Sequence, residues 1–135
     1  MSDAFETPVR EVMTAPVRTV DPGTTAREAA GVLLDEGIGS VLVADPPGIL
    51  TKTDLVAGIH RVEDLDGTPV SALMSRSVIT VDPGDDVQTV VDRMEEHGIK
   101  RLVVESDGEF VGIVTVTDLA AAFAVDLDTV IGTFV

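Results

Sequence analysis

The feature that most constrains this chain is an eight-residue segment that occurs twice. Residues 48–55 read GILTKTDL and residues 112–119 read GIVTVTDL, so six of the eight paired positions are identical. The likeness extends beyond this segment, because a shift of 61 residues places the TVDPG of residues 19–23 on the TVDPG of residues 80–84. A repeated unit in a chain of 135 residues predicts duplicated architecture, and it raises the question whether a site is duplicated too.

Each copy has the pattern of a strand, a helix, two strands and a helix. The β-rich runs VRTV and VITV end at Asp-Pro-Gly, which predicts a turn because Pro fixes φ and Gly permits a positive φ. In the first copy Thr25 and Glu28 form a capping box, and the apolar helix face after them ends at Gly37. The second copy repeats this helix up to Gly98. The sequence therefore predicts a mixed α/β (α+β) fold of two βαββα repeats.

The repeats are expected to depend on each other for stability. A unit of about 60 residues buries too little apolar surface to be stable alone, so we expect the two to pack sheet to sheet as one intramolecular pair. Along the chain the repeats are predicted at residues 5–62 and 70–135, with a linker at residues 63–69.

The charge balance argues against several classes of partner. Nine basic and 24 acidic residues give a net charge of −15, which repels nucleic-acid phosphates and anionic lipid. No apolar run approaches the roughly 18 residues of a membrane-spanning helix, and the N-terminus has no signal-peptide pattern, so a cytoplasmic location is expected. The excess of Asp, with only two Lys, predicts a halophilic protein whose acidic surface is adapted to high salt. A merely acidic mesophilic protein is the alternative.

Catalytic and metal sites are not indicated. There is no Cys, and His60 and His97 have no suitably spaced partners. Neither a nucleophile–base pair nor a glycine-rich phosphate loop is visible. We therefore expect no enzyme and no required metal.

The ordered motifs of the two copies resemble a tandem pair of CBS domains, the Bateman module. The residues that carry the resemblance are VMT and LMS at the starts, TVDPG twice, EGIG and HGIK before the second strands, and GILTKTDL and GIVTVTDL. The resemblance covers about residues 9–124. It implies a stand-alone regulatory protein, a pseudo-twofold arrangement of the repeats with clefts between them, and assembly as a homodimer. VAGI and AAAFAV supply apolar helix surface for that dimer.

The Thr-x-Thr-Asp sequence is the candidate ligand site. Two Thr at alternate positions of a strand end point to one face, and the following Asp lies at a helix start. A carboxylate there can accept hydrogen bonds from the vicinal hydroxyls of a ribose, and the hydroxyls and helix start suit phosphate oxygens. The residues are Thr51, Thr53 and Asp54 in the first copy and Thr115, Thr117 and Asp118 in the second. The alternative is structural, with Thr53 and Thr117 as N-caps and the Asp complementing the helix dipole.

Further site residues follow from the resemblance. It implies that the backbone of Thr19 and Val20, and of Thr80 and Val81, lines an adenine pocket.

Two adjacent cations invite a phosphate. Lys100 and Arg101 open the second strand of copy two, where copy one has Gly39 and Ser40. On the family's arrangement they would hold the phosphate of a ligand whose ribose lies on Asp54, which predicts a tighter site there. The clipped DPPG turn argues for the other cleft by narrowing the first. A surface pair that neutralises nearby acids is the alternative.

The predicted function is the sensing of an adenosine nucleotide, AMP, ADP or ATP, in one or both clefts, with control of an unknown effector protein. Two alternatives remain open: a sensor of S-adenosylmethionine or a divalent ion on the same fold, and a purely structural oligomerisation module with empty clefts.

Overall fold

A computed structural model describes residues 4–61 and 64–123 of the chain. Within these ranges the chain forms two compact units. The first-repeat unit comprises the described residues of 17–78, and the second-repeat unit those of 4–16 and 79–123. Helices and small sheets occur in both units, which confirms the predicted mixed α/β class.

The first-repeat unit is built around a β-hairpin covered by helices. In chain order its elements are α1 (Ala26–Glu36), β1 (Ser40–Val43), β2 (Gly48–Thr51), α2 (Lys52–Arg61) and the short α3 (Val70–Leu73). β1 and β2 are antiparallel, and Ser40 pairs with Thr51. The VRTV segment runs parallel to β1: the Val20 N–H donates to the Leu42 carbonyl at 2.8 Å, and the Leu42 N–H to the Arg18 carbonyl at 2.9 Å.

Helix α1 begins and ends where its sequence predicts. The Glu28 N–H donates to Thr25 Oγ1 at 3.1 Å, so the predicted cap at Thr25 is confirmed. Gly37 ends the helix with φ 63°, a left-handed conformation that favours glycine. The buried face of α1, formed by Ala26, Ala29 and Leu33, packs in the core of this unit.

The second-repeat unit has a three-stranded sheet. Its elements are two 3-10 turns (Ala4–Glu6 and Val9–Glu11), β3 (Thr80–Val81), α4 (Val87–His97), β4 (Arg101–Ser106), β5 (Glu109–Thr115) and helix α5 at residues 116–123. β3 is parallel to β4, and β4 is antiparallel to β5. The predicted ends of α5 at residues 124 and 125, and of α2 at Val62, lie outside the described residues.

Residues close in sequence also explain the two ends of α4 and the turn between β4 and β5. The Asp86 carboxylate caps α4 by accepting from the Thr89 N–H at 2.9 Å, and this bond, with one from the Thr89 hydroxyl, lowers the pKa of Asp86. Gly98 ends the helix with φ 62°. Asp107 and Gly108 both have positive φ, as the two-residue turn between twisted strands requires.

A short leading segment at the start of each repeat forms backbone hydrogen bonds with a strand of the other repeat. Thr14 exchanges both backbone hydrogen bonds with Ile113 of β5, at 2.7 and 2.9 Å. Ser75 does the same with Ile49 of β2, at 3.0 and 2.9 Å. Each unit therefore combines the body of one repeat with the leading segment of the other. The predicted boundaries along the chain stay predictions.

The two Met residues of these segments have matching contacts. A Cβ added to Gly48 would meet the thioether of Met74, and one added to Gly112 would meet that of Met13. Each Met therefore packs against the glycine at which a Gly-Ile sequence begins. This contact explains why the Met of VMT and LMS and the Gly of the two Gly-Ile sequences occur in both copies. Met74 is part of the buried core of the first-repeat unit, and Met13 packs against the core of the second.

Candidate ligand-binding site

The carboxylate of Asp54 is fixed at the junction of β2 and α2. Its Oδ2 accepts from the Thr51 N–H at 2.8 Å and from the Thr51 hydroxyl at 3.0 Å. In return, the Asp54 N–H donates to Thr51 Oγ1 at 3.2 Å. This reciprocal pairing holds the half-buried side chain in one orientation. The other oxygen, Oδ1, accepts no hydrogen bond from the described residues.

The second copy repeats this arrangement at the junction of β5 and α5. Asp118 Oδ2 accepts from the Thr115 N–H at 2.9 Å, and the Asp118 N–H donates to Thr115 Oγ1 at 3.0 Å. One contact has no counterpart in the first copy: the Thr14 hydroxyl donates to Asp118 Oδ1 at 2.8 Å. Ser75, which stands at the position equivalent to Thr14, makes no side-chain hydrogen bond to a described residue.

The role expected for the second Thr of each motif needs correction. β2 ends at Thr51 and α2 begins at Lys52, so Thr53 lies in the helix and not two positions along a strand. Thr117 likewise lies in α5. Thr51 and Thr115 therefore cap the helices, and the alternative that assigned the caps to Thr53 and Thr117 is wrong. Both of these hydroxyls are exposed and make no hydrogen bond to a described residue.

The residues at the start of β1 and of β4 lie next to the Thr-Asp junction of their own unit. Ser40 is buried and pairs with Thr51, and the Gly39 carbonyl accepts from the Lys52 N–H at 3.3 Å. In the second-repeat unit Arg101 pairs with Thr115, and the Lys100 carbonyl accepts from the Val116 N–H at 3.0 Å.

Neither Lys100 nor Arg101 forms an ion pair with a described acidic residue. The described part of the chain thus gives no support to their interpretation as neutralising surface charges.

Thr19 and Val20 lie farther along the sheet. Thr19 pairs with Leu42, two residues beyond Ser40. Thr19 and Val20 line a cleft of about 490 Å³ at the carboxyl end of β1. The cleft is also lined by Glu28 and Val32 of α1, and it does not include Asp54.

The second-repeat unit differs at the equivalent place because the arginine that contacts the Thr carbonyl comes from a different element in each copy. Arg93 of α4 stands where α1 has Val32, and its guanidinium donates to the Thr80 carbonyl. In the first-repeat unit the equivalent Thr19 carbonyl accepts from Arg18 Nη1 at 3.1 Å. Thr80 and Val81 form β3, beside Val103 and Val104 of β4.

Two side chains that make contacts near the candidate site, those of Thr14 and Arg93, were not predicted from the sequence. The signal for Thr14 was a hydroxyl in both VMT and LMS, and for Arg93 a cation at the position where the first copy has the apolar Val32. In residues 4–61 and 64–123, no cluster of three or more His, Cys, Asp or Glu side chains could hold a metal ion. None of the described helices is long and apolar enough to cross a membrane.

Comparison with known proteins gives the same repeat. The sequence model of the CBS domain matches residues 9–61 and again residues 70–125. Pairs of CBS domains are regulatory ligand-binding modules. The CBS domain-containing protein YhcV of Bacillus subtilis is 34% identical over 116 residues, which cover 83% of this chain and 82% of YhcV.

Two solved structures show the same fold. Hypoxic response protein 1 of Mycobacterium tuberculosis, solved with two coordinated zinc ions, has 30% identity and a TM-score of 0.73, covering 85% of this chain and 98% of that chain. The CBS domain pair of protein MJ0100, solved with 5′-methylthioadenosine and S-adenosyl-L-methionine, has 24% identity and a TM-score of 0.78, covering 89% and 98%. With both segments matched, this chain belongs to the CBS-domain family and carries the domain twice.

Proposed function

We propose that this chain senses an adenosine nucleotide, AMP, ADP or ATP, through the Thr-Asp junctions of its two CBS domains, and that binding controls a partner protein. One observation carries the proposal: in both copies a Thr fixes a half-buried Asp carboxylate, and Oδ1 of Asp54 accepts no hydrogen bond from residues 4–61 and 64–123. An acceptor held in one orientation on rigid elements is suited to the vicinal hydroxyls of a ribose.

The hydrogen-bond pattern favours a diol over a lone hydroxyl. The Thr51 N–H and hydroxyl already hold one edge of the Asp54 carboxylate, so a ligand loses little free energy in fixing its orientation. A second hydroxyl on the neighbouring carbon can then reach the remaining lone pairs of the same group. The adenine contacts assigned to the backbone of Thr19, Val20, Thr80 and Val81 rest on the family resemblance.

Lys100 and Arg101 supply the positive charge for phosphate in this proposal. Without ionic partners among the described residues, they can contact a phosphate without first breaking a salt bridge. Their action on a phosphate held at Asp54 is part of the proposal and rests on the family's arrangement.

The proposal is tested by a thermal-shift screen with AMP, ADP, ATP, NAD, S-adenosylmethionine, Mg²⁺ and Zn²⁺, at low and high salt. A nucleotide at 100 times its Kd should add about 2.7 kcal/mol to the free energy of unfolding, and the melting temperature should rise accordingly. An Asp54→Asn, Asp118→Asn double variant is the matched control, and its melting temperature should not respond to nucleotide.

Other outcomes of the screen would identify the alternatives. A rise in melting temperature with S-adenosylmethionine alone would mean that the ligand is S-adenosylmethionine and not a nucleotide. The zinc bound by hypoxic response protein 1, a relative 31% identical over 119 residues, is the reason to include metals, and a response to a metal alone would make the chain an ion sensor. No response to any compound would favour a structural module.

A further inference from the structure

A buried serine hydroxyl lies next to the first Thr-Asp junction without a hydrogen-bond partner. Ser40 is the one buried polar or charged residue of the described chain, 8% exposed, and its hydroxyl forms no hydrogen bond to a described residue. Such a group destabilises a fold unless something satisfies it. Every fully enclosed polar side-chain atom of residues 4–61 and 64–123 has a partner, so the Ser40 oxygen keeps an opening to solvent through which a ligand can reach it.

The register of the β1–β2 hairpin places the Ser40 side chain beside Thr51. The two residues are direct partners in the antiparallel pair. The next pair outward is hydrogen-bonded, since the Lys52 N–H donates to the Gly39 carbonyl at 3.3 Å. Ser40 and Thr51 therefore form the non-hydrogen-bonded kind of pair, in which the side chains share a face with Cβ atoms about 4.5–5.5 Å apart. Because Thr51 holds Asp54, the free hydroxyl lies beside the carboxylate of the candidate site.

We propose that the Ser40 hydroxyl donates a hydrogen bond to a ribose hydroxyl oxygen of the ligand at Asp54, and so helps to select a ribose. The inference rests on the proposed function, to which it adds a residue that contacts the diol. A ribose hydroxyl that donates to Asp54 Oδ1 keeps its lone pairs, and a carboxylate, which only accepts, cannot satisfy them. The Ser40 hydroxyl can, because no described residue accepts its proton.

The second copy lacks this short donor. Arg101 stands at the position equivalent to Ser40 and pairs with Thr115. A charged guanidinium on a long side chain replaces a buried hydroxyl there, and it suits an anion better than a sugar. The effect of Ser40 therefore belongs to the Asp54 site.

The test isolates the Asp54 site by using Asp118→Asn as the background. Isothermal titration with AMP is compared for Asp118→Asn alone and for Asp118→Asn with Ser40→Ala. Loss of one hydrogen bond to a ribose oxygen should weaken AMP binding about three- to tenfold. Titration with 2′-deoxy-AMP and 3′-deoxy-AMP, which each lack one ribose hydroxyl, identifies the oxygen: with one of the two, Ser40→Ala should cause no loss.

The stability of the ligand-free protein gives a second readout. Because the Ser40 hydroxyl has no partner among the described residues, Ser40→Ala should melt at the temperature of its parent or above it. Ser106→Ala is the matched control, since Ser106 ends β4 at the edge far from Arg101 and its side chain also forms no hydrogen bond to a described residue. That change should leave AMP affinity unchanged.

The remaining outcomes separate this inference from the proposed function. If AMP binds Asp118→Asn and Ser40→Ala does not weaken it, or if AMP binds only the wild type, the inference fails alone. Equal losses for AMP and both deoxynucleotides, or a lower melting temperature of ligand-free Ser40→Ala, would overturn it too, since the hydroxyl would then serve the fold. If AMP binds no protein, wild type included, the proposed function fails and this inference with it.

Discussion

At the scale of single residues, Asp54 has a structural role that has to be separated from its proposed role in binding. Its carboxylate partners the Thr51 N–H, which would otherwise lack an acceptor at the start of α2. Only the free oxygen Oδ1 is offered to a ligand. A substitution that keeps the hydrogen bond from the Thr51 N–H and removes the negative charge therefore separates the structural role of Asp54 from its proposed role in binding.

Asp54→Asn should be nearly as stable as the wild type, because its amide oxygen can still accept from the Thr51 N–H. Asp54→Ala leaves that donor without its partner and should lower the free energy of unfolding by about 1 kcal/mol. Urea denaturation of the three proteins measures both changes. Equal losses for the two variants would show that the charge, and not the capping bond, stabilises this junction.

At the scale of elements, the Met–Gly contacts tie each leading segment to its strand. Gly48→Ala should lower the free energy of unfolding by about 1–3 kcal/mol, because the added Cβ meets the buried Met74 side chain. Gly31→Ala is the matched control, since nothing lies within 4 Å of its added Cβ in the middle of α1. That change should stabilise the protein by up to about 1 kcal/mol, from helix propensity.

Thermal denaturation of both glycine variants checks this pair of expectations. A Gly48→Ala protein as stable as the wild type would mean that Met74 moves aside freely, and the explanation of the repeated Met and Gly residues would then be wrong.

Structural features that depend on residues close in sequence could be predicted. The Thr25 cap, the left-handed Gly37 and the Asp107-Gly108 turn each depend on residues within one turn of chain. Contacts that span the chain could not: Thr14 reaches Asp118, 104 positions away, and nothing in VMT names that partner. Predictions about the Thr-x-Thr-Asp junction failed at Thr53 because the strand ends and the helix begins two residues earlier than the pattern suggested.

At the scale of the whole molecule, the acidic charge is mostly without ionic partners. Among the described residues the ion pairs are Arg18–Glu36 at 2.8 Å and Arg27–Asp66 at 2.6 Å, and the side chains of both are well exposed to solvent. Pairs of that kind contribute little, so a chain of net charge −15 has to tolerate the repulsion among its acids.

Salt should therefore stabilise the fold. Raising KCl from about 0.1 M to about 2 M screens the repulsion between carboxylates, so the melting temperature should rise. Differential scanning fluorimetry in KCl measures it. A melting temperature that does not change over this range would count against adaptation to high salt.

We also expect a homodimer with a twofold-symmetric interface. Val56 and Ile59 of α2 are 67% and 60% exposed, an apolar helix surface that a second copy can cover. Light scattering at micromolar concentration and high salt should give twice the 14.1 kDa of one chain. A Val56→Glu, Ile59→Glu variant should give a monomer, and a wild-type mass of one chain would exclude the dimer.

The central claim is that Asp54 binds the ribose of an adenosine nucleotide, and isothermal titration of AMP into the wild type and Asp54→Asn tests it most directly. Loss of a charge-assisted hydrogen bond should weaken the tighter site by about 10- to 100-fold, with the fold retained. Asp118→Asn, the matched control, should leave that site intact. An Asp54→Asn protein that binds AMP as tightly as the wild type would contradict the account.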